Sequence, residues 1–308
     1  LDVSLSLLTP YEASISPLSR VGKTGTVLPD MKTVAAIHDI SCHSKSSLTV
    51  VIPALAALGV QASVLPTALL STHTDGYENY AYVDLTETME DVIAHWKKLG
   101  LQFDSIYSGF LGSHRQIDTV SSFIGWQRQG GRQPLVVVDP VLGDQGKPYG
   151  PMTSELIARM HDLVTMATVI TPNLTEAALL LGEQFTSDLP LKVAEQWAKR
   201  LSALGPRYVA ITSVMDGSDG IVVAYDADQR SGFHIRQTYA PVSYPGCGDF
   251  FASILCALLV RGLSFFHAVE QATDMVNKAV YATWKTGTEI RSGVAIELVM
   301  SDLVKVVG

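Results

Sequence analysis

From Met31 onward the chain alternates short apolar runs with longer amphipathic stretches. The runs VAAI (34–37), ASVL (62–65), SIY (105–107), LVVVD (135–139), TVIT (168–171) and YVAIT (208–212) have strand length and strand composition. Between them, apolar residues recur at helical spacing near 45–58, 87–99, 115–130, 153–165, 174–182 and 190–204. Strands that are apolar on both faces, separated by helices, predict an α/β fold with a mostly parallel central sheet and helices on both faces. GIVVAYD and GFHIRQTYA, joined by DADQRS, predict a late antiparallel hairpin at one edge of that sheet. No internal repeat or Pro/Gly-rich linker interrupts the pattern, so residues 31–308 read as one domain. The first thirty residues are rich in Ser and Leu without a clear period. They read as an N-terminal extension, and a docked N-terminal arm is the equal alternative.

The stretch YPGCGDFF (244–251) places a carboxylate behind two glycines and ahead of the most apolar run in the chain. Gly246 and Gly248 permit a tight turn, and FFASILCALLVRG predicts a buried helix that begins near Asp249 and stops at Gly262. A helix start offers unpaired N–H groups and positive potential, which suit a phosphate or a phosphoryl-transfer transition state. The same dipole favours an ionised Asp249, poised to take a proton from an attacking alcohol. The competing reading makes Asp249 an ordinary N-cap.

Two further acidic clusters fall at strand ends. TPNLTEAALLLG (171–182) puts Asn173 at a helix start and Glu176 three residues on, which is a capping-box spacing. The same pair can hold hydrated Mg2+ and nucleotide phosphates, because Mg2+ keeps several waters and takes few carboxylates. VVVDPVLGD places Asp139 at a strand's carboxyl end and Asp144 in the following loop. Ligands of open α/β sheets bind outside those ends, so three acidic clusters there favour a site over three separate caps.

Composition narrows the partners. The 308 residues are 47% hydrophobic and carry a formal net charge of -8 with no basic cluster, which argues against nucleic acid or an anionic membrane as the target. Small molecules fit better. Cys42, Cys247 and Cys256 are scattered and odd in number, as expected for a reducing cytoplasm. The apolar runs are too short for a membrane span, and the first residues lack signal-peptide order.

Other signals are discounted. His38, Cys42 and His43 lack a fourth partner at zinc-site spacing. His114 and His161 read as surface or cap residues, and Trp96, Trp126, Trp197 and Trp284 as helix packing. The loop DQGKPYG (144–150) has the content of a mobile flap, within reach of a phosphate through Lys147, although a solvated lysine is the commoner case.

GCGD ahead of a buried helix resembles the G-x-G-D anion-hole motif of the ribokinase superfamily, and PNLTE resembles its N-x-x-E motif. DPVLGD, STHTDGY (71–77) and FDSIYSGFLGS (103–113) are similar to the pyridoxal kinase branch, and the resemblance covers roughly residues 32–290. It implies a ribokinase-like fold, a homodimer, and transfer of phosphate from ATP to the 5′-hydroxymethyl group of pyridoxal, pyridoxine or pyridoxamine. Asp249 resembles the catalytic base, and the amides of Gly246, Cys247 and Gly248 the anion hole. Asp139, Asp144, Asn173 and Glu176 resemble the ATP and Mg2+ group, with Asp139 and Glu176 nearest the metal; a monovalent cation such as K+ is left open. Thr212 and Ser213 match positions that contact ATP phosphates. On the vitamer side, His73, Thr74 and Phe110 match positions around the pyridine ring. Asp39 stands where that branch commonly has Ser, which leaves the preferred vitamer open, and Cys247 stands where Thr or Ala is more usual. A thiol there could add reversibly to a bound aldehyde.

Rival readings keep the fold or drop the chemistry. A hydroxymethylpyrimidine kinase shares the anion hole. A sugar or nucleoside kinase would need a lid for which the early strands leave little room. A non-catalytic vitamer-binding protein would have no use for Asp249 or Glu176.

Overall fold

A computed structural model describes residues 31–150, 152–238 and 242–307. The expected extension at 1–30 lies outside the described residues, as do the last two residues of the expected hairpin. Each apolar run named above falls in or overlaps a strand: β1 (Thr33–Ser41), β2 (Gln61–Leu70), β4 (Ser105–Ser108), β5 (Leu135–Val138), β8 (Val169–Ile170) and β9 (Tyr208–Asp216). The edge hairpin is β10 (Asp219–Asp226) with β11 (Ser231–Thr238). The sequence pattern did not show β3 (Tyr82–Asp84) or the two-residue strands β6 (Gly143–Asp144) and β7 (Lys147–Pro148).

Among the described residues the main sheet has nine strands in the order β11-β10-β9-β8-β5-β4-β1-β2-β3. The six from β9 to β2 run parallel, while β10, β11 and β3 close the edges antiparallel. The chain builds outward from β1 in one direction to β2 and β3, then in the other through β4, β5, β8 and β9. The strand order therefore reverses beside β1, which opens a crevice at the carboxyl ends of β1 and β4.

Alternate residues of each central strand feed two cores. Ala35, Ile37, Val136 and Val138 face α2 (Thr86–Lys98), α3 (His114–Gln127), α4 (Ser154–Met166), α5 (Leu174–Leu181) and α6 (Leu191–Ser202). Val34, Ala36 and Val137 face α1 (Leu48–Ala57), α7 (Cys247–Val260), α8 (Phe265–Lys285) and α9 (Met300–Lys305). Every residue from Phe250 to Leu258 is buried, as the all-round apolarity of that run requires.

Four details sharpen or depart from these expectations. The helix expected from residue 45 starts at Leu48, because Ser44 and Ser47 have φ of 72° and 50°, which a helix cannot hold. The helix expected near Asp249 starts at Cys247, with left-handed Gly246 as its N-cap. The flap at 144–150 is a small hairpin pinned by the Gly146 N–H donating to Thr175 Oγ1 at 2.9 Å, and Lys147 is exposed. Trp96, Trp126 and Trp197 pack as expected, but Trp284 is 48% exposed on α8.

Candidate active site

At the carboxyl ends of the parallel strands lies a cavity of about 300 Å3. Every site residue inferred from the sequence lines it: Asp39, His73, Thr74 and Phe110 on one side, Thr212, Ser213, Asn173 and Glu176 on the other, and Asp139, Asp144 and Gly246 to Asp249 between them. The described lining contains six carboxylates, Asp75 being the sixth beyond those inferred, and neither Lys nor Arg.

Gly246 takes φ 85°, and the first bond of α7 is the Phe250 N–H donating to the Gly246 carbonyl at 2.9 Å. The amides of Cys247, Gly248 and Asp249 are thus left without a partner inside the helix, aligned with its dipole. Asp249 does not cap its own helix. Its Oδ2 instead accepts the backbone N–H of Ser47 at 2.8 Å, across 202 positions of chain. Asp249 is half-buried as a residue, but its carboxyl group is enclosed. Burial pushes that group up to about 8, and the charges of Asp139 and Asp39 act in the same sense. Burial thus opposes the helix dipole, which the sequence reading took to favour an ionised Asp249. Burial likewise pushes the Cys247 thiol up to about 12, which holds it protonated and weighs against an aldehyde adduct.

Asn173 and Glu176 form a full capping box on α5: the Glu176 N–H donates to Asn173 Oδ1 at 3.0 Å, and the Asn173 N–H to Glu176 Oε2 at 2.8 Å. Glu176 Oε1 also accepts the Leu142 N–H at 3.1 Å, and Asn173 Nδ2 donates to the Gly143 carbonyl at 2.8 Å. The structural reading of this pair is realised, and the Glu176 carboxylate still lines the cavity. Asp139 Oδ1 accepts the Thr171 hydroxyl at 3.0 Å. Burial raises both Asp139 and Glu176, and the Asp139 charge raises Glu176 further. Two raised carboxylates with no lysine or arginine on the wall are a donor set that fits a hard divalent cation such as Mg2+. Among the described residues no three acidic, His or Cys side chains converge into a cage, so such an ion would take most of its ligands from water and substrate oxygens. Thr212 lies beside Asn173, bridged in parallel, and Ser213 is held at φ 61°.

On the opposite side, Asp39 at the end of β1 is 5% exposed and accepts the hydroxyls of Ser41 at 3.1 Å and Ser47 at 2.5 Å. Burial raises its carboxyl. His73 Nδ1 accepts the Asp75 N–H at 3.1 Å, which leaves Nε2 to donate to the Arg291 carbonyl at 2.8 Å. The ring is thereby fixed in one tautomer at the cavity edge.

Sequence reasoning missed several wall residues. Ser41 and Ser47 carry no motif of their own and matter through Asp39. Val276, Asn277 and Val280 come from α8 and form, with Ile221 and Val222 of β10, a mainly apolar end of the cavity. The discounted zinc reading stays discounted: His38 is fully buried edge-on to Tyr107, with ring centroids 4.3 Å apart, while Cys42 and His43 are exposed.

A parallel sheet with an acidic cavity at a helix start and a buried carboxylate at its third residue defines a ribokinase-like phosphotransferase. The comparisons carry this further. The model of the phosphomethylpyrimidine kinase family matches residues 48–293, and the chain belongs to that family. It is 31% identical over 264 residues to a pyridoxine/pyridoxal/pyridoxamine kinase of Bordetella avium, covering 83% of this chain and 86% of that one. It is 30% identical over 240 residues to a hydroxymethylpyrimidine/phosphomethylpyrimidine kinase of Mycobacterium tuberculosis, covering 76% and 82%. A solved Bacteroides thetaiotaomicron protein, assigned to the phosphomethylpyrimidine kinases and crystallised with pyridoxal, superposes with TM-score 0.84 at 41% identity, covering 89% and 96%. The pyridoxal kinase of Lactobacillus plantarum superposes with TM-score 0.82 at 32% identity, covering 90% and 98%. The vitamin B6 kinases are thus among this chain's relatives in both sequence and fold, and the protein is a kinase. No helix among the described residues is long and apolar enough to cross a membrane.

Proposed function

We propose that this kinase transfers the γ-phosphate of ATP to the 5′-hydroxymethyl group of a vitamin B6 vitamer, with Asp249 as general base. The observation that carries the reading is the position of the Asp249 carboxyl group. It lies at the third residue of α7, beside free helix-start amides, in the same cavity as Asp39, His73, Thr74 and Phe110. Both the relative from Bordetella avium and the pyridoxal-bound relative from Bacteroides support a B6 vitamer as acceptor.

Phosphoryl transfer passes through a loose transition state, so positioning and charge neutralisation supply most of the rate. With no lysine or arginine on the described wall, the free amides at the start of α7, from Cys247, Gly248 and Asp249, are the protein's own positive potential toward the transferred group. Asp139 and Glu176 would hold Mg2+, which supplies charge neutralisation on the phosphate oxygens. Thr212 and Ser213 bind phosphate oxygens further along the nucleotide. The acceptor ring lies between Phe110 and the His73–Thr74 segment, with its polar edge toward Asp39. In the free protein burial pushes the Asp249 carboxyl up to about 8; the free amides of α7, with Mg2+ bound nearby, would favour its ionised form, and as the alcohol oxygen attacks, its proton passes to that carboxylate.

A hydroxymethylpyrimidine acceptor is the second reading, favoured by the family match and by the Mycobacterium tuberculosis relative. The deciding assay is ADP release from Mg·ATP with pyridoxal, pyridoxine, pyridoxamine and hydroxymethylpyrimidine in parallel. Turnover of a B6 vitamer upholds the proposal. Turnover of the pyrimidine alone replaces it with the second reading.

A further inference from the structure

Ser47 joins the two sides of the cavity. Its hydroxyl donates to Asp39 Oδ1 at 2.5 Å, and its backbone N–H donates to Asp249 Oδ2 at 2.8 Å. It makes both bonds from a backbone at φ 50°, ψ -131°, a region that residues other than glycine rarely occupy. It is also the N-cap residue of α1, yet its side chain makes no capping bond there. A serine that gives up its usual capping role and holds an unfavourable backbone is over-determined by its surroundings. Those surroundings are visible. An antiparallel bridge ties Ser47 to Ile40, next to Asp39, and the preceding Lys45 is wedged between Gly246 and Gly293. Lys45 pairs in addition with Glu297.

We propose that Ser47 is a positioning residue that couples recognition of the acceptor to placement of the base: its side chain holds Asp39, its main chain holds Asp249, and one strained backbone sets both. The inference rests on the reading of Asp249 as base and of Asp39 as a ring contact. It adds that a group bound at Asp39 steadies Asp249 through Ser47, so that acceptor affinity and turnover are linked in one residue.

Ser47→Ala and Ser47→Gly separate the two functions. Alanine loses the hydroxyl and is as strained as serine at this φ, so only the Ile40 bridge and the wedged Lys45 still hold the N–H toward Asp249, and that hold loosens. Glycine loses the hydroxyl but adopts the same backbone without strain. The measurement is initial rate against acceptor and against ATP for both variants of the full chain, with thermal midpoints and with Asp249→Asn as reference. Ser47→Ala is expected to lower kcat about tenfold and to raise the acceptor KM. Ser47→Gly is expected to raise the acceptor KM equally while kcat returns to within about twofold of the parent. The KM for ATP stays unchanged in both. Combining Ser47→Gly with Asp39→Asn should raise the acceptor KM no further than Asp39→Asn alone, since both remove one interaction.

A serine that matters only to the fold would move the thermal midpoint and kcat together and leave the acceptor KM at its parent value in both variants, and that pattern overturns the proposal. Parent-like constants in both variants overturn it as well. Should Ser47→Ala fail to fold, additive KM effects in the Ser47→Gly, Asp39→Asn pair overturn it and non-additive effects uphold it. Retained turnover in Asp249→Asn would instead remove the base assignment. An inactive Asp249→Asn beside parent-like Ser47 variants removes only the coupling.

Discussion

A Cβ on Gly246 would stand 2.7 Å from the carbonyl oxygen of Lys45. The turn that opens the helix start to an anion is therefore packed directly against the loop that carries Ser47. Gly246→Ala must displace that loop and also hold alanine at φ 85°, a backbone cost of about 1–3 kcal/mol before any clash. At Gly248 the nearest atom to an added Cβ is Asp139 Oδ2, at 4.0 Å, and φ is not left-handed. Gly246→Ala is expected to lower the thermal midpoint by several degrees and to abolish turnover. Gly248→Ala should keep the midpoint and impair turnover alone. Melting curves and steady-state rates on the two variants check this.

Glu176 serves the helix and the cavity at once, and two substitutions divide the roles. Glu176→Gln keeps an oxygen for only one of the Asn173 and Leu142 N–H groups, so it is expected to destabilise less than alanine while raising the Mg2+ concentration needed for half-maximal rate. Glu176→Ala leaves the buried Leu142 N–H without its partner and removes the box, at about 1–3 kcal/mol. Denaturant unfolding of both variants, with Mg2+ titrations of rate, tests the division.

The raised carboxyl of Asp249 makes stability depend on pH with a definite sign. The folded protein holds this proton up to about 8, whereas the unfolded chain releases it near about 4. The stabilisation is thus complete below the unfolded value and is lost as pH rises toward 8. Measured without nucleotide or metal, the thermal midpoint of the parent should fall across that window. In Asp249→Asn the fall should be shallower, so that the variant melts higher than the parent at pH 8 and alike at pH 4. A parent curve that rises with pH, or a variant curve parallel to it, contradicts this reading of the site.

Much of the architecture was legible because buried parallel strands are apolar on both faces. VVVD and YVAIT announce themselves without any periodicity. β3 escaped because its three residues are all exposed, and β6 and β7 because two residues show no pattern. α8 was given no bounds although its buried residues Phe265, Ala268, Val269, Ala272, Met275, Ala279 and Thr283 recur at helical spacing, so its pattern was legible. Asp249, Asp139 and Glu176 could be picked out because glycine spacing and strand-end position flagged them. Ser47 could not, because its importance lies in a φ value and in partners 8 and 202 positions away. The pull of burial on Asp249 was out of reach for a related reason. The dipole follows from sequence, but enclosure beside Asp139 and Asp39 follows only from the fold.

Whether Asp249 takes the acceptor's proton is decided by the turnover of Asp249→Asn on the best acceptor of the panel, alongside its nucleotide affinity by calorimetry. With Asp249 as base, kcat falls by at least about a hundredfold, the range expected for removing a general base, and nucleotide affinity stays within about threefold of the parent. Parent-like turnover in a folded Asp249→Asn, or loss of nucleotide binding in place of turnover, would contradict that role.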